Sequence, residues 1–302
     1  MDVGGAGAEA VTSSSGLPAF ARGLCDDAAV FPPGLAPLAD AVPAHVRHRA
    51  SAYGELVGPL VLAEPALAKL GPLLPAGERI ELSVTAPEGP AQIASALATV
   101  STLQADLAAF EVAVPPGMGV AEFFAALDRA RAGAEHVTVY VEVPRDERRA
   151  EVIAALARRG DRAKFRTGGV RAELYPDEAE LASAIAAVVA AGVPFKATAG
   201  LHHALRNTDP ETGFEQHGFL NLLLATDAAV RGADEAALRG LLAERDGGAV
   251  AAGVRGLGEA GAASARRAFV SFGTCSITEP LAELVELDLV PSALASGEGV
   301  NA

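Results

Sequence analysis

The sequence predicts an α/β fold: a closed (β/α)8 TIM-type barrel with a helical insertion between its seventh and eighth strands. Short apolar, β-branched runs alternate with longer alanine-rich segments of helical period, as in a parallel sheet wound with helices. The strand-like runs number eight. Spread over about 290 residues, they match one barrel of this type in number and size. An open, doubly wound sheet shares the alternation and is the competing arrangement.

Strands are expected at 22–30, 58–64, 79–86, 107–114, 136–143, 162–168, 193–200 and 268–275. Between them PAQIASALATVSTL, AEFFAALDRARAG, DERRAEVIAALARRG and DEAELASAIAAVVAAG read as helices. Several open on Pro, Asp or Glu and close on Gly, as helix ends tend to. The rhythm holds to residue 200. Residues 201–267 are too many for one connection and read as the insertion. Helices are expected in HGFLNLLLATDAAVRG and EAALRGLLAERD, then a Gly-rich loop, GGAVAAGVRGLGEAGAA, mobile over the barrel mouth. The GLGEAG within it has the G-x-G-x-x-G form but follows no strand, so it predicts no dinucleotide site. Residues 1–16 read as a disordered leader without the pattern of a signal peptide, and 17–302 as one barrel domain.

Half of the 302 residues are hydrophobic, enough for a large core, and no apolar run has the length of a membrane span. The formal charge, 24 − 38 = −14, argues against a nucleic-acid or anionic-membrane partner. Two cysteines make no disulfide framework, which fits a reduced, cytoplasmic setting. A small-molecule partner is what remains, with room for a homo-oligomer.

One count points to chemistry. Of the 24 basic residues only three are lysine, and two of those, Lys164 and Lys196, fall inside expected strands. Alternate side chains of a barrel strand point inward, and residues at strand C-termini face the mouth where barrel enzymes hold their substrates. The inward set expected there is Glu111, Glu142, Lys164, Arg166, Lys196 and Thr198, joined by Asp26 and Asp27 at the end of the first strand. Such charges must compensate one another, as an ion-pair network or as a functional site. A lysine beside Arg166 in partly apolar surroundings is expected to have a lowered pKa, freeing its amine as a nucleophile.

The segments AKFRTGG, FKATAGL and SFGTCSI resemble, in order, the last three strand motifs of deoxyribose-phosphate aldolase and related class I aldolases. Lys164 precedes Gly168 by four residues, Lys196 precedes Gly200 by four, and a Gly273-Thr274-Cys275-Ser276 turn follows. The resemblance implies a Schiff base on Lys164, with Lys196 lowering its pKa and Glu111 relaying protons. It also implies an anionic group held by the turn from Gly273 to Ser276 ahead of a helix. It covers about a quarter of the chain; the 77 residues from Lys196 to Gly273 and the LHH after the second motif depart from the pattern.

His202 and His203 are candidates for acid/base work or for hydrogen bonding to substrate. With His217 and a carboxylate they could complete a divalent-metal site, but no HxH or HxxxH spacing supports one, so no cofactor is expected. Cys275 is either a buried structural thiol or a nucleophile. The expected catalytic set is Lys164, Lys196, Glu111, Glu142, His202 and His203. The expected substrate-binding set is Arg166, Thr198, Asp27, His217, Gly273, Thr274, Cys275 and Ser276. The leading expectation is a lysine-dependent lyase of aldolase type acting on a small, polar, anionic carbonyl compound. An isomerase or dehydratase using the same groups as acids and bases, metal-assisted or not, is the alternative. So is a non-catalytic barrel that binds an anion.

Overall fold

The computed structural model describes residues 16–77 and 79–295. The leader expected over 1–16 lies, apart from Gly16, outside the described residues. Eight parallel strands close into a barrel: β1 (Cys25–Asp27), β2 (Val57–Ala63), β3 (Ile80–Ala86), β4 (Ala105–Ala113), β5 (Thr138–Glu142), β6 (Arg162–Arg166), β7 (Phe195–Thr198) and, after a long excursion, β10 (Phe269–Thr274). β10 pairs with both β7 and β1, which closes the ring and rules out the open sheet. The strands arise where the eight apolar runs were expected.

Alternation along each strand separates two environments. Outward side chains such as Phe110, Val141, Phe165, Phe195 and Phe272 are buried under the helices, with Phe195 packed between Phe165 and Phe269. Several inward positions are small or charged: Ser83, Glu111, Lys164, Lys196 and Ser271 stand where branched residues usually fill such a barrel.

The connecting helices are α1 (Leu38–Ala50), α2 (Ala91–Val100), α3 (Val120–Ala130), α4 (Arg149–Arg159), α5 (Glu178–Ala190) and, after β10, α10 (Thr278–Glu286). Among its described residues the β2–β3 connection, rich in proline, forms 3-10 turns at Glu64–Lys69 and Gly71–Leu73 and no α-helix. Between β7 and β10 the chain forms a small hairpin, β8 (Asn207–Thr208) with β9 (Glu215–Gln216). Four helices follow: α6 (Phe219–Val230), α7 (Glu235–Ala243), α8 (Gly247–Gly256) and α9 (Gly258–Ala268). α6 is buried from Phe219 through Ala228, because it lies against β10 and α5 on one side and beneath α7, α8 and α9 on the other.

The Gly-rich stretch expected as a mobile loop over the mouth is therefore corrected to α8 and α9. Asp246 caps α8 by accepting from the Ala249 N–H at 2.7 Å, and Val250, Ala251, Val254, Ala262 and Ala265 bury an apolar stripe. Tertiary packing overrides the low helix propensity of glycine there. α9 runs down the flank of the barrel, where Arg266 donates to the carbonyl of Arg22 just ahead of β1.

Candidate active site

The charges expected on the strands meet inside the barrel at its C-terminal end. Lys164 and Lys196 are register partners on β6 and β7, so both point inward at the same level. Glu111 on β4 bridges them: Oε1 accepts from Lys196 Nζ at 2.5 Å, and Oε2 lies 3.0 Å from Lys164 Nζ. Lys196 also donates to Asp26 Oδ2 at 2.5 Å. Lys164 pairs with Glu142 Oε2 at 3.2 Å, and Arg166 Nε donates to Glu142 Oε1 at 2.9 Å. Three cations and three carboxylates thus form one chain of contacts: Asp26, Lys196, Glu111, Lys164, Glu142, Arg166.

Smaller groups hold this chain in place. Ser83 donates to Glu111 at 2.7 Å and Ser271 donates to Asp26 at 2.8 Å. Lys196 Nζ lies 5.3 Å from the centre of the Tyr140 ring, a cation–π contact beneath the ion pairs. Gly58 leaves the space that the Asp26 carboxylate fills. The glycine four residues after each lysine has a structural cause. A Cβ on Gly168 would come within 2.7 Å of the Gly200 Cα, and Gly200 has φ +68°, so the loops after β6 and β7 pass in contact.

The electrostatics fix Lys196 as a cation. Burial disfavours charge on Lys196, but Asp26 and Glu111 outweigh it and raise its pKa above the ordinary lysine value, so it is a fixed ammonium. Burial alone would raise Glu111, yet Lys196 and Lys164 hold it well below the usual carboxylate range. Glu142 is likewise lowered against burial by Lys164 and Arg166. Asp26, at the far end with only a shared cation, is raised by burial. Lys196 is about 1% exposed; Lys164, paired with the more open Glu142, lies nearer the mouth-side end of the chain of contacts.

Above the ion pairs lies a cavity of about 370 Å³. Lys164, Lys196, Glu111, Glu142, Arg166, Thr198, His202, Gly273 and Cys275 all line it. His202 Nδ1 is 3.4 Å from Cys275 Sγ. Burial lowers the His202 pKa, and burial with Glu279 raises that of Cys275, so a neutral imidazole faces a thiol. The other expected site residues are placed elsewhere. Asp27 turns outward to His45 Nδ1 on α1, 3.0 Å away. His203 Nδ1 meets Glu283 Oε1 at 2.5 Å, and this contact raises its pKa. His217 is buried under the hairpin and donates through Nε2 to the Pro176 carbonyl at 2.8 Å. Thr274 and Ser276 are occupied at the β10–α10 turn, Thr274 Oγ1 donating to the Ser276 carbonyl at 2.9 Å. Among the described residues no group of three or more His, Cys, Asp or Glu is arranged to hold a metal ion.

Ser83, Ser271 and Tyr140 were not expected at the site, and of Asp26 and Asp27, both expected to face inward, only Asp26 joins the network. Strand alternation held the signal: of two adjacent aspartates only one can point inward, and Ser83 and Ser271 stand two residues from Thr85 and Gly273 on the inner face.

Fold and site together define a TIM-type barrel with a compensated, lysine-bearing ion network under a cavity at its C-terminal face. Compared with known proteins, the chain matches no family model and no curated sequence. Among the described residues no helix is long and apolar enough to cross a membrane.

Proposed function

We propose that the chain is a Schiff-base enzyme of lyase type, with Lys164 as the nucleophile. The observation that supports this most is the division of labour around Glu111: one lysine is buried between Asp26 and Glu111, and the other, at the same level, lines the cavity beside Glu142. Glu142, at 3.2 Å, removes a proton from Lys164 as a carbonyl compound enters, and the neutral amine adds to the carbonyl carbon. The proton returns to the carbinolamine hydroxyl, water leaves, and an iminium remains. It draws the electrons of the neighbouring C–C bond while Glu142 takes the β-hydroxyl proton; a carbonyl product leaves, and Glu142 returns the proton to the enamine carbon, giving an iminium that water hydrolyses to free Lys164. The resemblance of the last three strand motifs to class I aldolases supports the same assignment.

Borohydride reduction in the presence of small aldehydes tests it, read by intact mass and peptide mapping. The third lysine, Lys69, is exposed and serves as the internal reference. A reduced adduct on Lys164 well above that on Lys69, and lost in Lys164→Met, is expected. Labelling of Lys69 alone would overturn the assignment. A second reading rests on Lys164 touching two carboxylates, which suits an ammonium acting as a general acid in an isomerase or dehydratase. It predicts solvent deuterium entering carbonyl substrates with no reducible adduct.

A further inference from the structure

We infer that the substrate carries an apolar tail and no phosphate group; the inference rests on the Schiff-base reading for its carbonyl end only. The walls of the cavity above the ion network are apolar: Phe31 and Pro32 after β1, Val61 on β2, and Val170 with Leu174 after β6. Only three large hydrophobic side chains are exposed among the described residues, and two of them, Leu35 and Val170, belong to mouth loops. Val170 is 73% exposed while lining the cavity, so the apolar lining continues to the outer rim.

The charge inventory gives an independent reason to exclude phosphate. Each of the three cations facing the cavity, Lys164, Lys196 and Arg166, is already paired with a carboxylate, so a phosphate dianion would have to compete with Glu111, Glu142 and Asp26 for them. The corner before α10 is where a helix N-terminus would hold an anion. There Thr274 Oγ1 accepts from the Ser276 N–H at 3.3 Å, and Ser276 Oγ accepts from the Glu279 N–H at 3.2 Å. Glu279 and Glu283 add negative charge beside His202 and His203. A charged floor beneath an apolar shaft fits a carbonyl carbon seated at Lys164 with an alkyl or similar chain rising between Val61 and Leu174.

The test is a series of acetaldehyde, butanal, hexanal and glyceraldehyde 3-phosphate at subsaturating concentration, with borohydride, scored as the rate of Lys164 labelling relative to Lys69. Each buried methylene should raise the rate roughly three- to fourfold, so butanal should exceed acetaldehyde on the order of tenfold. Leu174→Gln should flatten the series. Labelling of Lys164 that is flat with chain length, or fastest with the phosphorylated aldehyde, would overturn the inference and leave the Schiff base standing. If no aldehyde labels Lys164, the Schiff base falls, and thermal shifts with hexan-1-ol and with glycerol 3-phosphate decide the rest. Stabilisation by the alcohol alone supports the apolar tail; stabilisation by the phosphate, or by neither, removes it.

Discussion

Lys196 is the side chain whose loss would reach furthest. It is buried, and it pairs directly with Asp26 while sharing Glu111 with Lys164. Lys196→Met should cost about 3–5 kcal/mol in urea unfolding, since it leaves a carboxylate buried without its cation. Lys196→Met combined with Glu111→Gln should cost clearly less than the sum of the single changes, because the second removes part of what the first strands. A Lys196→Met loss below 1 kcal/mol would mean that water or protonation of Asp26 dissipates the charge, and that the network is looser than its contacts. The lysines were legible in the sequence because the chain otherwise uses arginine for charge. Which of Asp26 and Asp27 faces inward was not, because adjacent residues differ only in strand phase, and phase is set by pairing with β2 and β10. The Cys275–His202 contact was invisible for a related reason: 73 residues separate the two, and only barrel closure brings them together.

At the scale of elements, the insertion shows where periodicity misleads. Gly247, Gly248, Gly253 and Gly256 suggest a loop, yet α8 forms because α6 has an apolar outer face that needs covering. Two glycines in this outer layer should respond oppositely to alanine. Gly240 in α7 is exposed and a Cβ there meets nothing, so Gly240→Ala should raise stability by about 0.5–1 kcal/mol. A Cβ on Gly253 in α8 would sit 3.0 Å from Leu224 Cδ1, so Gly253→Ala should gain less than Gly240→Ala, or lose stability, by displacing Leu224. Urea midpoints of the two variants check this, and equal gains would mean that α8 stands off α6. The eight barrel strands were readable because each lies in a short run of strand-forming residues that alternates with a helical segment. The helices over them were readable where an apolar stripe tolerated at most one glycine, as in α7 with Gly240, and not where glycines cluster, as in α8.

For the whole molecule, net charge and buried chemistry pull in different directions with pH. The sequence pI is near 4.9, and relief of self-repulsion alone would place greatest stability close to it. Buried histidine opposes this. Burial and Arg206 push the His217 pKa from 6.5 down to about 4, so between those values the unfolded chain binds a proton there that the folded chain does not. Stability therefore falls as pH falls through that window, on the order of 2 kcal/mol from pH 7 to pH 5 through this residue. His202, lowered by burial, acts in the same sense. His203, raised by Glu283, acts against it: its stabilisation is complete below its unfolded pKa and is lost as pH rises through the folded one. Asp26, raised by burial, also opposes it: its contribution is complete at low pH and is lost as pH rises through the folded pKa. Glu111 and Glu142 are lowered in the folded state, so their contribution is intact above the usual carboxylate pKa and is lost only under stronger acid. The unfolding free energy should accordingly be larger at pH 7 than at pH 5, away from the pI. His217→Gln keeps a donor for the Pro176 carbonyl and removes the titration, so it should narrow that difference. Equal or greater stability of the unaltered chain at pH 5, or an unchanged slope in His217→Gln, would show that this imidazole exchanges protons with solvent more freely than its burial implies.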